Sequence, residues 1–86
     1  MVEFVKPEGA SEDEILRQHE GFVRQVVGYA TKNLPHYVDR DPLLNAGRVG
    51  FVDALRRYDA AYNTSFRSYA MTRIRGAVFD ELRRTD

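Results

Sequence analysis

An all-α domain, a compact bundle of three main helices joined by short loops, is the fold class this sequence predicts. Three observations predict it. Apolar residues recur at three- and four-residue intervals in three separate segments. Each segment opens on a helix-starting signal. Neither an Asn-Gly hairpin nor a sustained alternation of period two interrupts them.

The first helix is expected over about 12–32. Ser11 followed by Glu14 is a capping box, in which the hydroxyl accepts from the Glu14 N–H and the carboxylate reaches back. Ile15, His19, Phe22, Val26 and Ala30 then step along one face, with Leu16, Val23 and Val27 beside them. Acidic residues in the first turn and Lys32 near the end suit the helix dipole. Pro35 breaks the pattern. The second helix is expected over about 42–57, with Asp41 capping it and Pro42 at the first helical position, where a missing N–H costs nothing. Its buried stripe is Leu43, Leu44, Gly47, Phe51, Ala54, Leu55 and Tyr58. Gly47 and Gly50 each cost up to about 1 kcal/mol against alanine inside a helix, which predicts close approach of another helix. The third helix, about 66–84, starts after Thr64 or Ser65. Phe66, Ala70, Met71, Ile74, Ala77, Val78 and Leu82 make its apolar arc. The opposite arc carries Ser68, Thr72, Arg73, Gly76, Asp80 and Arg83, with Tyr69 and Phe79 among them. Residues 1–10 are expected to form a flexible arm and 11–86 the domain.

Composition narrows the function. A chain of 86 residues allows one small domain. It has no cysteine, so no disulfide and no thiolate metal site. His19 and His36 fall in no metal-binding pattern, and no metal or cofactor is expected. No nucleophile elbow or phosphate loop is present, which points away from an enzyme. No apolar run reaches the roughly 18–20 residues of a membrane span, and the N-terminus lacks the charge and length of a secretory signal, so a cytoplasmic location is expected. Thirteen basic side chains balance thirteen acidic ones, but unevenly. Residues 1–20 hold two basic groups against six acidic, and residues 21–86 hold eleven against seven, ten of the eleven being arginine. Arginine forks onto phosphates and guanine edges, so the bias suits recognition; GC-rich codon usage gives the same bias.

The outer arc of the third helix places aromatic rings among arginines. That mixture suits single-stranded nucleic acid, whose bases stack and whose phosphates attract cations. Arg73 and Asp80 lie two turns apart on one stripe, where arginine can fork to guanine and aspartate can accept from cytosine N4. The same two residues equally fit a surface salt-bridge network, and Tyr69 equally fits the core.

Residues 34–86, from LPHYVDRDPLLNAGRVGFVDALRRYD onward, resemble conserved region two of bacterial RNA polymerase sigma factors. The string through Tyr69, Ala70, Arg73 to Ala77 and Asp80 to Arg83 is similar to the flagellar and sporulation class of the sigma-seventy family. The resemblance implies that the second helix docks on the clamp helices of the polymerase β′ subunit, through Leu43, Leu44, Asn45, Arg48, Val49 and Val52. It implies that the third helix melts the −10 promoter element and holds its non-template strand. Tyr69 and Thr72 would lie on the melting surface, Arg73 and Asp80 would read the upstream part of the element, and Arg67 and Arg75 would meet phosphates. An anti-sigma factor is a further implied partner. Pro42 stands where the family usually has an acidic residue, and Asn45 where it has glutamine. The promoter-spacer and −35-binding domains are not in the sequence, and the chain is expected to be one domain of a longer factor. The competing reading is a helical protein-interaction module, a decoy for an anti-sigma factor, without promoter activity.

Overall fold

A computed structural model describes residues 11–84, so the arm expected at 1–10 lies outside the described residues. Four helices follow in order: α1 (Glu12–Gln18), α2 (Glu20–Ala30), α3 (Asp41–Arg57) and α4 (Phe66–Arg84). No strand occurs among the described residues. The second and third expected helices are α3 and α4. The first is divided at His19, whose φ of −111° and ψ of 15° leave the helical region. Its ring Nδ1 lies 2.8 Å from the Ile15 carbonyl, the acceptor that its own N–H also uses. The ring then stacks on Phe51, with centroids 5.4 Å apart. Histidine thus contributes to the core at the cost of one distorted residue.

The capping signals resolve individually. Ser11 Oγ accepts from Glu14 N at 3.1 Å, one of the two bonds of the expected capping box. Ser65, not Thr64, opens α4, its Oγ accepting from Ser68 N at 3.1 Å. At α3 the expectation needs correction. The helix begins at Asp41 itself, and the carboxylate that accepts from its N–H is that of Asp39, at 3.0 Å. Thr31 ends α2 by donating its hydroxyl to the Val27 carbonyl at 2.8 Å. Arg40 orders the connection that follows: its guanidinium donates to the Val38 carbonyl at 3.0 Å and the Leu34 carbonyl at 3.2 Å.

The core is one cluster, and Phe51 lies at its centre. Phe22 and Phe66 pack against its ring at 6.4 and 5.9 Å, and Ile15, Val23, Ile74 and Val78 belong to the same buried cluster. Burying a side chain of this kind contributes about 1.5–3 kcal/mol. Of the apolar arc expected on α4, Phe66, Ala70, Ile74 and Val78 are buried, whereas Met71 is exposed. Gly47 and Gly50 lie where α3 is crowded. A Cβ on Gly47 would overlap Val27 Cγ2, and one on Gly50 would lie 2.8 Å from the Arg73 carbonyl and 2.9 Å from Ile74 Cα. The helix-propensity cost of both glycines is therefore tied to close helix approach. From α3 an ion pair also runs to each other helix: Arg56 to Glu12, Arg48 to Glu20 and Asp53 to Arg73. Partly exposed pairs contribute only about 0–1 kcal/mol each, so they orient the helices more than they hold them.

Candidate nucleic-acid interface

Helix α4 has one side in the core, and its remaining surface forms one wall of two grooves. The first, about 720 Å³, lies between α3 and α4, with Val49, Val52 and Asp53 on one side and Thr72, Arg73 and Asp80 on the other. The second, about 590 Å³, lies between α2 and α4 and is lined by Phe22, Tyr29, Arg67, Met71, Arg75 and Phe79. Five of the six residues expected to touch DNA are therefore divided between two grooves, one on each side of the helix, and Tyr69 lines neither.

In the first groove, Arg73 is held by Asp53 of α3, which accepts from Nε at 2.9 Å and from Nη2. The arginine side chain remains 40% exposed, on the groove wall and not in the interior. Its guanidinium holds the Asp53 carboxyl below the ordinary carboxylate range through the hydrogen bond, aided by its charge and that of Arg57. Asp80 is open to solvent, with 69% of its side chain exposed, and pairs with Arg83 one turn on. Thr72 is exposed and returns its hydroxyl proton to the Ser68 carbonyl at 3.2 Å. Gly76 lies beside these side chains, and a Cβ there would meet nothing within 4 Å.

In the second groove, Arg67 lies over the Phe22 ring, 4.6 Å from its centroid. Arg75 is exposed, and neither arginine forms an ion pair among the described residues. The exposed rings of Tyr29 and Phe79 lie in the same groove as these two cations. Phe79 belongs to the outer arc read on α4, whereas Tyr29 and Phe22 were not expected at a site; both come from α2, so only the packing of α2 beside α4 brings them to Arg67 and Arg75.

Tyr69 is half-buried at one end of α4 in a cluster of rings. Tyr58 and Tyr62 each lie 5.6 Å from it, and Tyr58 is anchored by donating to the Thr64 carbonyl at 2.8 Å. Tyr62 is 47% exposed, so the cluster opens to solvent. Tyr62 precedes α4, in the connection from α3. The pairing becomes visible only when that connection folds back on α4.

The expected polymerase-facing residues of α3 separate into three groups. Asn45, Val49 and Val52 share an outward stripe, and Val49 is 68% exposed. Arg48 is engaged internally, donating to Glu20 at 2.6 Å and to Asn45 Oδ1 at 2.7 Å. Glu20 is shifted below, and Arg48 above, its ordinary pKa by their shared hydrogen bond. Leu43 corrects the expectation: it is 3% exposed and belongs to the core, because it falls on the same stripe as Gly47, Gly50 and Phe51. Leu44 is half-buried beside that stripe. Among the described residues no group of His, Asp or Glu side chains is placed to hold a metal ion, and no helix is long and apolar enough to cross a membrane.

The fold and the two flanking grooves define a helical domain with one long helix whose exposed surface carries arginines and rings. The Sigma-70 region 2 family matches residues 19–86, and the chain belongs to that family, whose members are transcription-initiation domains and not enzymes. It is 46% identical over 71 residues to RNA polymerase sigma factor FliA of Escherichia coli K12, an alignment covering 83% of this chain and 27% of that protein. It is 38% identical over 74 residues to RNA polymerase sigma-D factor of Bacillus subtilis, covering 86% of this chain and 29% of the relative. With FliA of Pseudomonas aeruginosa the identity is 34% over 76 residues, covering 88% of this chain and 31% of the relative. The chain therefore spans under a third of the length of these curated relatives.

Proposed function

We propose that this chain docks on the clamp helices of the RNA polymerase β′ subunit through α3 and holds the unpaired non-template strand of a −10 promoter element on α4. The observation that carries the reading is the surface of α4. Arg67, Arg75, Thr72 and Asp80 are exposed, Arg73 and Tyr69 are half-exposed, and all six lie on the walls or end of one helix. Arginines beside rings match the phosphate-and-base alternation of a single strand. The docking surface is the stripe of Asn45, Val49 and Val52, without Leu43. Such a domain works in the cytoplasm, where polymerase and promoters are. Relatives named as RNA polymerase sigma factors support the same assignment.

The neutral charge of the chain gives little nonspecific attraction to DNA, so most of the affinity comes after docking. An anti-sigma factor that covers α3 or α4 would block either step. The experiment is a binding titration of a −10 non-template oligonucleotide, with and without the β′ clamp helices. Tight binding of the strand only when the clamp helices are present is the expected result. A chain that binds neither the clamp helices nor the strand would instead support the decoy reading.

A further inference from the structure

We infer that Asp53, on the docking helix, is a positioning residue for the strand contact made by Arg73 on α4. The inference rests on the proposed function and adds a residue to it. Asp53 Oδ2 accepts from both Nε and Nη2 of Arg73, while Oδ1 accepts from Arg57 Nε at 2.7 Å. Both carboxylate oxygens are thus engaged, and the carboxylate is held between two guanidinium groups. A guanidinium has five N–H donors in a rigid plane. Asp53 occupies the Nε edge of that plane. The Nη1 protons and the outer Nη2 proton are left to point away from α3, and that end can fork onto a guanine edge or a phosphate.

The arrangement has the logic of a supporting hydrogen bond behind a ligand-binding group. Without Asp53 the arginine would sample many rotamers, and the strand would have to order it on arrival. With Asp53 the ordering is complete once the domain has folded. The contact also comes from α3, one turn from Val49 and on the same groove wall as Val52. The residue that orients the base-reading arginine therefore belongs to the helix that meets the polymerase. A partner that shifts Val49 and Val52 shifts Asp53 with them.

The test is a double-mutant cycle on the chain assembled with polymerase core, read as affinity for the −10 non-template oligonucleotide. Arg73→Ala is expected to weaken binding about tenfold. Asp53→Asn is expected to weaken it severalfold when Arg73 is present and to add nothing when Arg73 is alanine, with Asp53→Glu recovering part of the loss. Tighter binding by Asp53→Asn would show that the carboxylate masks the arginine, and equal losses in both backgrounds would show a purely structural residue; either overturns the inference. If Arg73→Ala leaves the affinity unchanged, the assignment of the strand to Arg73 falls, and the role of Asp53 falls with it.

Discussion

The seam between α3 and α4 and the outer surface of α4 are two sides of the same nineteen-residue helix, built on opposite rules. At the seam, glycine stands where any larger residue would collide: Gly50 lies against the Arg73 carbonyl and Ile74 Cα. On the outside, Gly76 has nothing within 4 Å of where a Cβ would be, and the neighbouring side chains are charged, polar or aromatic. The seam explains itself by packing. The outer surface carries Arg67 and Arg75, neither of them in an ion pair among the described residues, beside exposed rings.

The sharpest break of the comparison is Gly50→Ala. Forcing a methyl group into the seam should destabilise the domain by about 1–3 kcal/mol, read by chemical denaturation. An unchanged midpoint would mean that the helices are further apart than described. At the solvent edge of the seam, Arg73→Ala should do the reverse. Strand binding should fall about tenfold, while the folded state loses no more than about 1 kcal/mol with the Asp53 pair.

Both sides of α4 were partly legible before the structure. The glycine pair predicted a close helix approach because helix propensity alone disfavours it, and the crowding around Gly47 and Gly50 follows. The apolar period identified Phe66, Ala70, Ile74 and Val78. What periodicity does not carry is the identity of long-range partners. Arg73 reads as an outward residue, yet its first neighbour is Asp53, twenty positions earlier. Leu43 reads as both core and docking residue, and only the rotation of α3 about its axis decides for the core. His19 fits the apolar stripe, yet the helix breaks at it, and its ring nitrogen and its own N–H share the Ile15 carbonyl. Tyr62 and Tyr29 were missed because each acquires its neighbours from a separate element.

Smaller effects sharpen the same contrast. Gly76→Ala should stabilise the domain by up to about 1 kcal/mol, since alanine is the better helix former and no clash awaits it. A loss of stability would place an unseen neighbour on the outer surface. Asn45→Ala should weaken binding to the β′ clamp helices a few-fold in a pull-down or titration and leave the unfolding midpoint nearly unchanged, because Asn45 is exposed. Finally, Asp53 and Glu20 have folded-state pKa values lowered by their arginine partners. Their stabilising contribution is therefore complete above the ordinary carboxylate pKa and is lost as pH falls through the lowered values, below about pH 4. Melting curves of Asp53→Asn should show a shallower acid-side decline than those of the native chain.

The account is tested most directly by mapping the strand onto the domain. Backbone chemical shifts of the labelled chain, bound to the β′ clamp helices, are followed during titration with the −10 non-template oligonucleotide. The account predicts that the changes cluster at Arg67, Tyr69, Thr72, Arg73, Arg75 and Asp80 on α4. Changes confined to α1 and the α2–α3 connection, with α4 silent, would contradict it.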